Sequence, residues 1–139
     1  MVRNYDQPCP IAKALELLGE RWTILIVRDL MRGMSKFSEL SQSVPGITAS
    51  VLASRLKLLE GEGVVESKLY QDHPPRAAYH LTKKGKELGK IVGALYMWGH
   101  KHYDVGAKMT SAECGHQLEL AYFCPTCQSK SSPKLPFKG

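Results

Sequence analysis

The stretch from Ser35 to Thr82 constrains the fold more than any other. Two short amphipathic segments joined by a Pro-Gly step run straight into a two-strand hairpin with a Pro-Pro tip. That order reads as a winged helix-turn-helix, in which the second helix enters the DNA major groove and the hairpin lies beside it as a wing. Ser35 is a candidate cap for a helix whose apolar positions Phe37, Leu40 and Val44 follow at spacings of three and four. Val44-Pro45-Gly46 ends it, because proline fixes its own φ and disfavours helical geometry in the residue before it. Thr48 then caps a second helix, Thr48 to Glu62, with Leu52, Leu56 and Leu59 on its buried stripe and Gly63 as its stop. Val64 to Tyr70 and Ala77 to Leu81 have strand-like composition, and Asp72 to Arg76 makes the connecting turn.

Such stripes would serve equally well in a small α+β domain whose helices merely pack. What lies off the stripe favours DNA. Thr48, Ala49, Ser50, Ser54, Arg55 and Lys57 on the second helix can approach base edges and phosphates. Lys36 and Ser38 near the start of the first helix, with Lys68, His73 and Arg76 along the hairpin, complete the candidate DNA-binding set. Arg76, at the wing tip, suits a narrow minor groove.

At 139 residues the chain is expected to be one domain with an appendage, and its formal charge of +6 favours a polyanionic partner. Trp22 to Leu30 is the longest apolar-looking run, yet Arg28 and Asp29 interrupt it, so no membrane span is expected. MVRNYDQPCP lacks the apolar core of a signal peptide; the expectation is a cytoplasmic protein whose four cysteines meet a reducing environment. No glycine-rich phosphate loop, nucleophile elbow or clustered His and carboxylate set is present, which argues against an enzyme.

Upstream of the motif, Pro10 to Leu18 reads as a short helix closed by Gly19, and Arg21 to Met31, apolar nearly all round, as a central buried helix. Downstream, Leu88, Ile91, Val92, Leu95, Trp98 and His102 recur at helical spacing from Thr82 to Tyr103, about six turns. A long terminal helix with nothing after it to pack on calls for a symmetric partner. The expected homodimer interface therefore comprises Ile11 with Leu88, Ile91, Val92, Leu95 and Trp98.

CPIAKALELLGERWTILIVRDLMRG, FSELSQSVPGITASVLASRLKLLEGEGVVES, PPRAAYHLTKKGKEL and WGHKHY together resemble the HxlR family of bacterial winged-helix regulators, relatives of the MarR group. The resemblance covers Cys9 to about Tyr103, most of the chain. It implies a dimeric, sequence-specific transcription regulator whose helix from Thr48 to Glu62 reads the major groove while the Gln71 to Ala77 wing tracks the neighbouring backbone. It implies neither a target gene nor the sign of regulation, and no residue set singles out an effector site.

Two cysteine sites remain. Cys9 lies between two prolines at the N-cap of the first helix, where the positive helix end can lower a thiol pKa. Some members of the resembled family sense oxidants or electrophiles through a cysteine at this position; the other reading is a small packing residue. In the tail, Cys114-Gly115-His116 and Cys124-Pro125-Thr126-Cys127 flank Gln117 to Phe123, which reads as a hairpin with paired soft ligands at its two ends, like a small zinc ribbon. A structural zinc ion on Cys114, His116, Cys124 and Cys127 is the preferred reading. A Cys124/Cys127 redox dithiol and a disordered tail are the alternatives, and a protein-binding winged-helix module is a further one for the whole chain. The expected organisation is mainly α (α+β): residues 1–105 a winged helix-turn-helix with a long dimerisation helix, 106–128 a zinc-ribbon-like hairpin and 129–139 a flexible tail.

Overall fold

A computed structural model describes residues 4–134 and 136. Two compact units make up the chain, Met1–Gly93 and Ala94–Gly139. The first contains α1 (Pro10–Leu18), α2 (Thr23–Met31), α3 (Phe37–Ser43), α4 (Ala49–Gly61), β1 (Val65–Gln71), β2 (Arg76–Leu81), α5 (Lys83–Lys86) and the start of α6 (Gly89–Tyr103). Its core is the set of apolar stripes anticipated from spacing. Ile26, Val27 and Leu30 of α2 meet Leu40 of α3, Leu52, Leu56 and Leu59 of α4, and Val64 and Val65 at the start of the hairpin. Each such side chain, fully buried, contributes about 1.5–3 kcal/mol by leaving water.

Local chemistry places the helix ends. The Thr48 hydroxyl accepts the Val51 N–H at 3.2 Å, satisfying one of the unpaired amides that open α4. At the other end Gly63 adopts φ +72, and the Val64 N–H donates back to the Leu59 carbonyl at 2.9 Å, a left-handed stop that a side chain would resist. The start of α3 differs from expectation. Lys36, not Ser35, occupies the N-cap position, and it is the Glu39 carboxylate that closes the helix by accepting the Ser35 N–H at 2.8 Å and the Lys36 N–H at 3.2 Å. The Ser35 carbonyl is engaged elsewhere, accepting the Tyr79 N–H at 2.8 Å.

That bond ties the wing to α3. β1 and β2 pair antiparallel from Val65 opposite Leu81 to Gln71 opposite Arg76, with an irregularity between Leu69 and Gln71, and Lys36 bridges Ala78 on the free edge of β2. The hairpin is thus fastened on both sides of β2, which fixes the wing's angle to the helical pair.

The single helix expected from Thr82 to Tyr103 is broken. α5 lasts one turn, and Glu87 and Leu88 form a turn before α6 begins. Thr82 donates its hydroxyl to the carbonyls of Gly63 and Val64 and accepts the Gly85 N–H at 3.2 Å. Gly85 lies so close to the Val64 carbonyl that a Cβ there would clash with the oxygen. Side-chain periodicity continues through this turn, so a reading of apolar spacing misses the break.

In the second unit, α6 is followed by an extended segment and a small hairpin of β3 (Tyr122–Cys124) with β4 (Ser129–Ser131). Tyr96 secures the helix end: its hydroxyl donates to the Ala107 carbonyl at 2.7 Å and accepts the Ala107 N–H at 3.0 Å. Gln117 to Phe123 is not the expected hairpin. Thr110 instead bridges Gln117 to close one turn over residues 112–114, and β3 and β4 close a second over residues 125–128. The appendage also runs past residue 128, because Ser129–Ser131 pairs with β3; of the anticipated flexible tail, residues 135 and 137–139 lie outside the described residues. Among the described residues no helix is long and apolar enough to cross a membrane.

Candidate nucleic-acid interface

α4 divides cleanly into an inner and an outer face. Leu52, Leu56 and Leu59 are sealed in the core, whereas Thr48, Ala49, Ser50, Ser54 and Lys57 are exposed. Arg55 departs from expectation. Its side chain is only 16% exposed, and its guanidinium holds Glu20, itself 26% exposed, at 3.1 Å. Position 55 lies three residues after Leu52 and four before Leu59, so it flanks the buried stripe rather than opposing it. Arg55 fastens α4 to the turn that precedes α2 and is removed from the contact set.

The remaining candidates are solvent-facing. Ser38 and Lys36 are exposed at the start of α3, Lys68 on β1, and His73 and Arg76 at the wing tip. Among the described residues none of Lys36, Lys57, Lys68 and Arg76 is ion-paired, so their charge is available to an anion. The Lys36 ammonium lies 5.1 Å from the centre of the Tyr70 ring, a cation–π contact that links α3 to the wing a second time. Leu69 and Tyr70 are also exposed on the wing, beside Arg76, and apolar composition alone had assigned them only strand character.

One structural site was not anticipated. Asp29 is entirely inaccessible to solvent, yet charged groups surround it. Arg28 grips it with two bonds of 2.8 and 2.9 Å, Arg32 reaches it at 3.3 Å, and the Ser43 hydroxyl donates to it at 2.7 Å from the end of α3. Burial alone would raise its pKa. The hydrogen bonds from Arg28 and Ser43, the charge of Arg28 and the Arg32 bond outweigh that, and the carboxyl is held below its ordinary value. This cluster locks α3, the first helix of the motif, to α2. Its trace in the sequence is the lone acid inside an apolar run with arginines at neighbouring positions.

Cys9 is the half-buried N-cap of α1, with Pro10 at the first helical position and the Cys9 carbonyl accepting the Lys13 N–H at 2.9 Å. In the tail, the Cys127 N–H donates to the Cys124 sulfur at 3.4 Å. The Cys114 thiol is lowered to about 7, first by the Ser111 hydroxyl and then by His116. The Cys124 thiol is lowered chiefly by the Cys127 backbone N–H. Among the described residues no three His, Cys, Asp or Glu side chains stand together as a metal-holding group. Ile11, Ile91, Leu95 and Trp98 are exposed, Trp98 at 56%. Leu88 and Val92 depart from the expected interface: one helical turn apart, they pack against the chain's own core.

Residues 17–107 match a family model described as HxlR-like helix-turn-helix. The chain belongs to this family. Among its relatives is the uncharacterised HTH-type transcriptional regulator YvaP of Bacillus subtilis, 40% identical over 102 residues, which cover 73% of this chain and 94% of YvaP. The solved structure of PA1607 is 26% identical and superposes with a TM-score of 0.75 over 91% of each chain. The reduced form of the redox regulator HypR is 30% identical and covers 69% of this chain and 95% of its own, with a TM-score of 0.65. This HxlR-like protein is accordingly a DNA-binding transcription regulator of the helix-turn-helix type and not an enzyme.

Proposed function

We propose that the protein works as a homodimer on an inverted-repeat operator, with α4 in the major groove and the Gln71 to Ala77 wing on the adjoining backbone. The observation that carries this reading is the two-faced α4: three leucines wholly buried, with small and hydroxyl side chains plus Lys57 exposed. Small side chains let a helix backbone come close to base edges, and the unpaired lysines with Arg76 supply sequence-independent attraction to phosphates. The exposed Ile91, Leu95 and Trp98 on α6 support a symmetric partner, since single exposed apolar residues are ordinary but a helix studded with them is not. In a two-fold dimer the half-site centres lie about 34 Å apart, one helical turn of DNA, or a multiple of that.

Cys9 is the sensor thiol of this reading. It stands at the N-cap of α1, and HypR, a named redox regulator, shares the fold. Fluorescence anisotropy against salt, with specific and scrambled duplexes, tests the DNA-binding surface. Ser50→Ala or Ser54→Ala changes which duplex is preferred, while Arg76→Ala weakens all duplexes alike. Unchanged binding in all three variants overturns the assignment. Repeating the titration with Cys9→Ser after mild oxidation tests the sensor: oxidation changes binding in the parent and not in the variant.

A further inference from the structure

The tail poses a stability problem that its own side chains do not solve. From Gly106 onward the described residues bury almost nothing: Leu118, Leu120, Tyr122 and Phe123 are all exposed, Leu120 at 61%. β3 and β4 are three residues each, and an isolated two-stranded hairpin is marginal in water. Yet the segment adopts two well-defined turns, and the superposition on PA1607 covers 91% of the chain, which requires it to extend into this region. A piece this small without a core needs a cross-link of some kind.

Both turns present soft ligands. In the first, the Ser111 N–H donates to the His116 carbonyl at 2.9 Å, the Gly115 N–H returns to the Ser111 carbonyl at 2.9 Å, and the Ser111 hydroxyl oxygen accepts the Cys114 N–H at 3.3 Å. Gly115, at φ +71, reverses the chain between the Cys114 thiol and the His116 ring. In the second, Cys124 ends β3 and Cys127 lies within the turn that follows, the Cys127 N–H points at the Cys124 sulfur, and Gln128 at φ +53 returns the chain into β4. An amide aimed at the first sulfur of a CxxC turn is the kind of supporting hydrogen bond that orients a metal-ligating side chain.

We propose that these turns are the two halves of one zinc site, with Cys114, His116, Cys124 and Cys127 closing tetrahedrally on a single Zn2+. The two halves stand apart in the structure, where no three of these side chains gather among the described residues; each half supplies two ligands, and a structural site uses four. Glu119 to Ala121, between the halves, belong to no helix, strand or bridge, so the approach of one turn to the other deforms no regular element. The ion replaces the missing core, because its binding free energy becomes folding free energy of the tail. This proposal is independent of the DNA-binding reading.

The test uses the full chain, purified under reducing conditions and assayed by elemental analysis. About one zinc ion per chain is expected, retained in Cys9→Ser and lost in Cys114→Ser, His116→Ala and Cys124→Ser. Replacement of zinc by Co2+ reads the coordination directly: intense visible bands with sulfur-to-metal charge transfer mark a tetrahedral thiolate site. Chelation should expose the tail to protease while Met1–Gly93 stays protected. Metal-free chain that gives only the weak spectrum of hydrated Co2+ overturns the proposal. So does zinc retained in Cys114→Ser and His116→Ala, which would confine the metal to the CxxC turn, and so does a Cys124–Cys127 disulfide in the freshly purified chain.

Discussion

At the scale of single residues, charge placement separates structure from function. Asp29 and Arg55 are charged, and both serve the fold. Replacing Asp29 by Asn leaves Arg28 without its counter-ion beside the core and should cost about 3 kcal/mol in urea-induced unfolding. The pH dependence has a defined sign. The folded carboxyl is held below its ordinary value, so its contribution is complete above the unfolded pKa of about 3.9 and fades as pH falls through the lower folded value. The stability gap between parent and Asp29→Asn should therefore be constant near neutrality and shrink only in strong acid. Arg55→Ala should lower stability by about 2 kcal/mol and leave the salt slope of DNA binding unaltered. Arg76→Ala should do the reverse, leaving the unfolding midpoint unmoved while the slope falls by about 1. The sign of a side chain's charge is written in the sequence, but whether that charge faces DNA or a buried acid is not.

At the scale of elements, caps and stripes were legible and backbone contacts were not. The Thr48 cap, the Val44-Pro45-Gly46 break and the Gly63 stop are local chemistry, and each lies where its residues predict. The seating of α5 depends on Gly85 meeting Val64, residues 21 positions apart in number, and the helix stops soon after, at the turn of Glu87 and Leu88. Gly85→Ala should push the Val64 carbonyl aside and cost about 1–3 kcal/mol, read as a lower thermal midpoint. An unchanged midpoint would mean that α5 can slide away from β1 without loss. Likewise, the tail was expected to carry its ligands at the ends of one hairpin, whereas each pair has a turn of its own. Alternation of Leu118, Leu120 and Tyr122 suggests one strand, but the Leu118 N–H bonds the Met109 carbonyl at 2.9 Å, Tyr122 pairs with Ser131, and Leu120 lies in neither pairing.

At the scale of the whole molecule, the exposed apolar residues of α6 bear on symmetry. If α6 forms a two-fold interface, Leu95→Glu should convert the dimer to monomer in sedimentation equilibrium, because an exposed leucine that becomes buried in the pair cannot be replaced by a charge without a large desolvation cost. The same variant should bind a full inverted repeat far more weakly than the parent, yet bind an isolated half-site about equally, since α4 and the wing are untouched. Equal weakening on both duplexes would place Leu95 in the monomer's fold instead. Of the face expected for this interface, Leu88 and Val92 were claimed by the core, which leaves Ile91, Leu95 and Trp98 exposed.

The order of elements, their caps, the apolar stripes that meet in the core and the family itself follow from sequence alone, because each depends on residues within a turn or two of one another or on a pattern spanning most of the chain. Tertiary structure decided what those neighbours do not control. It turned Arg55 inward to Glu20, buried Asp29 among two arginines and a serine, broke the terminal helix at Glu87 and Leu88 and divided the tail's four soft ligands between two turns. In each case the outcome depends on which side chain or backbone atom reaches a given point first, and that competition is between segments brought together only when the chain folds.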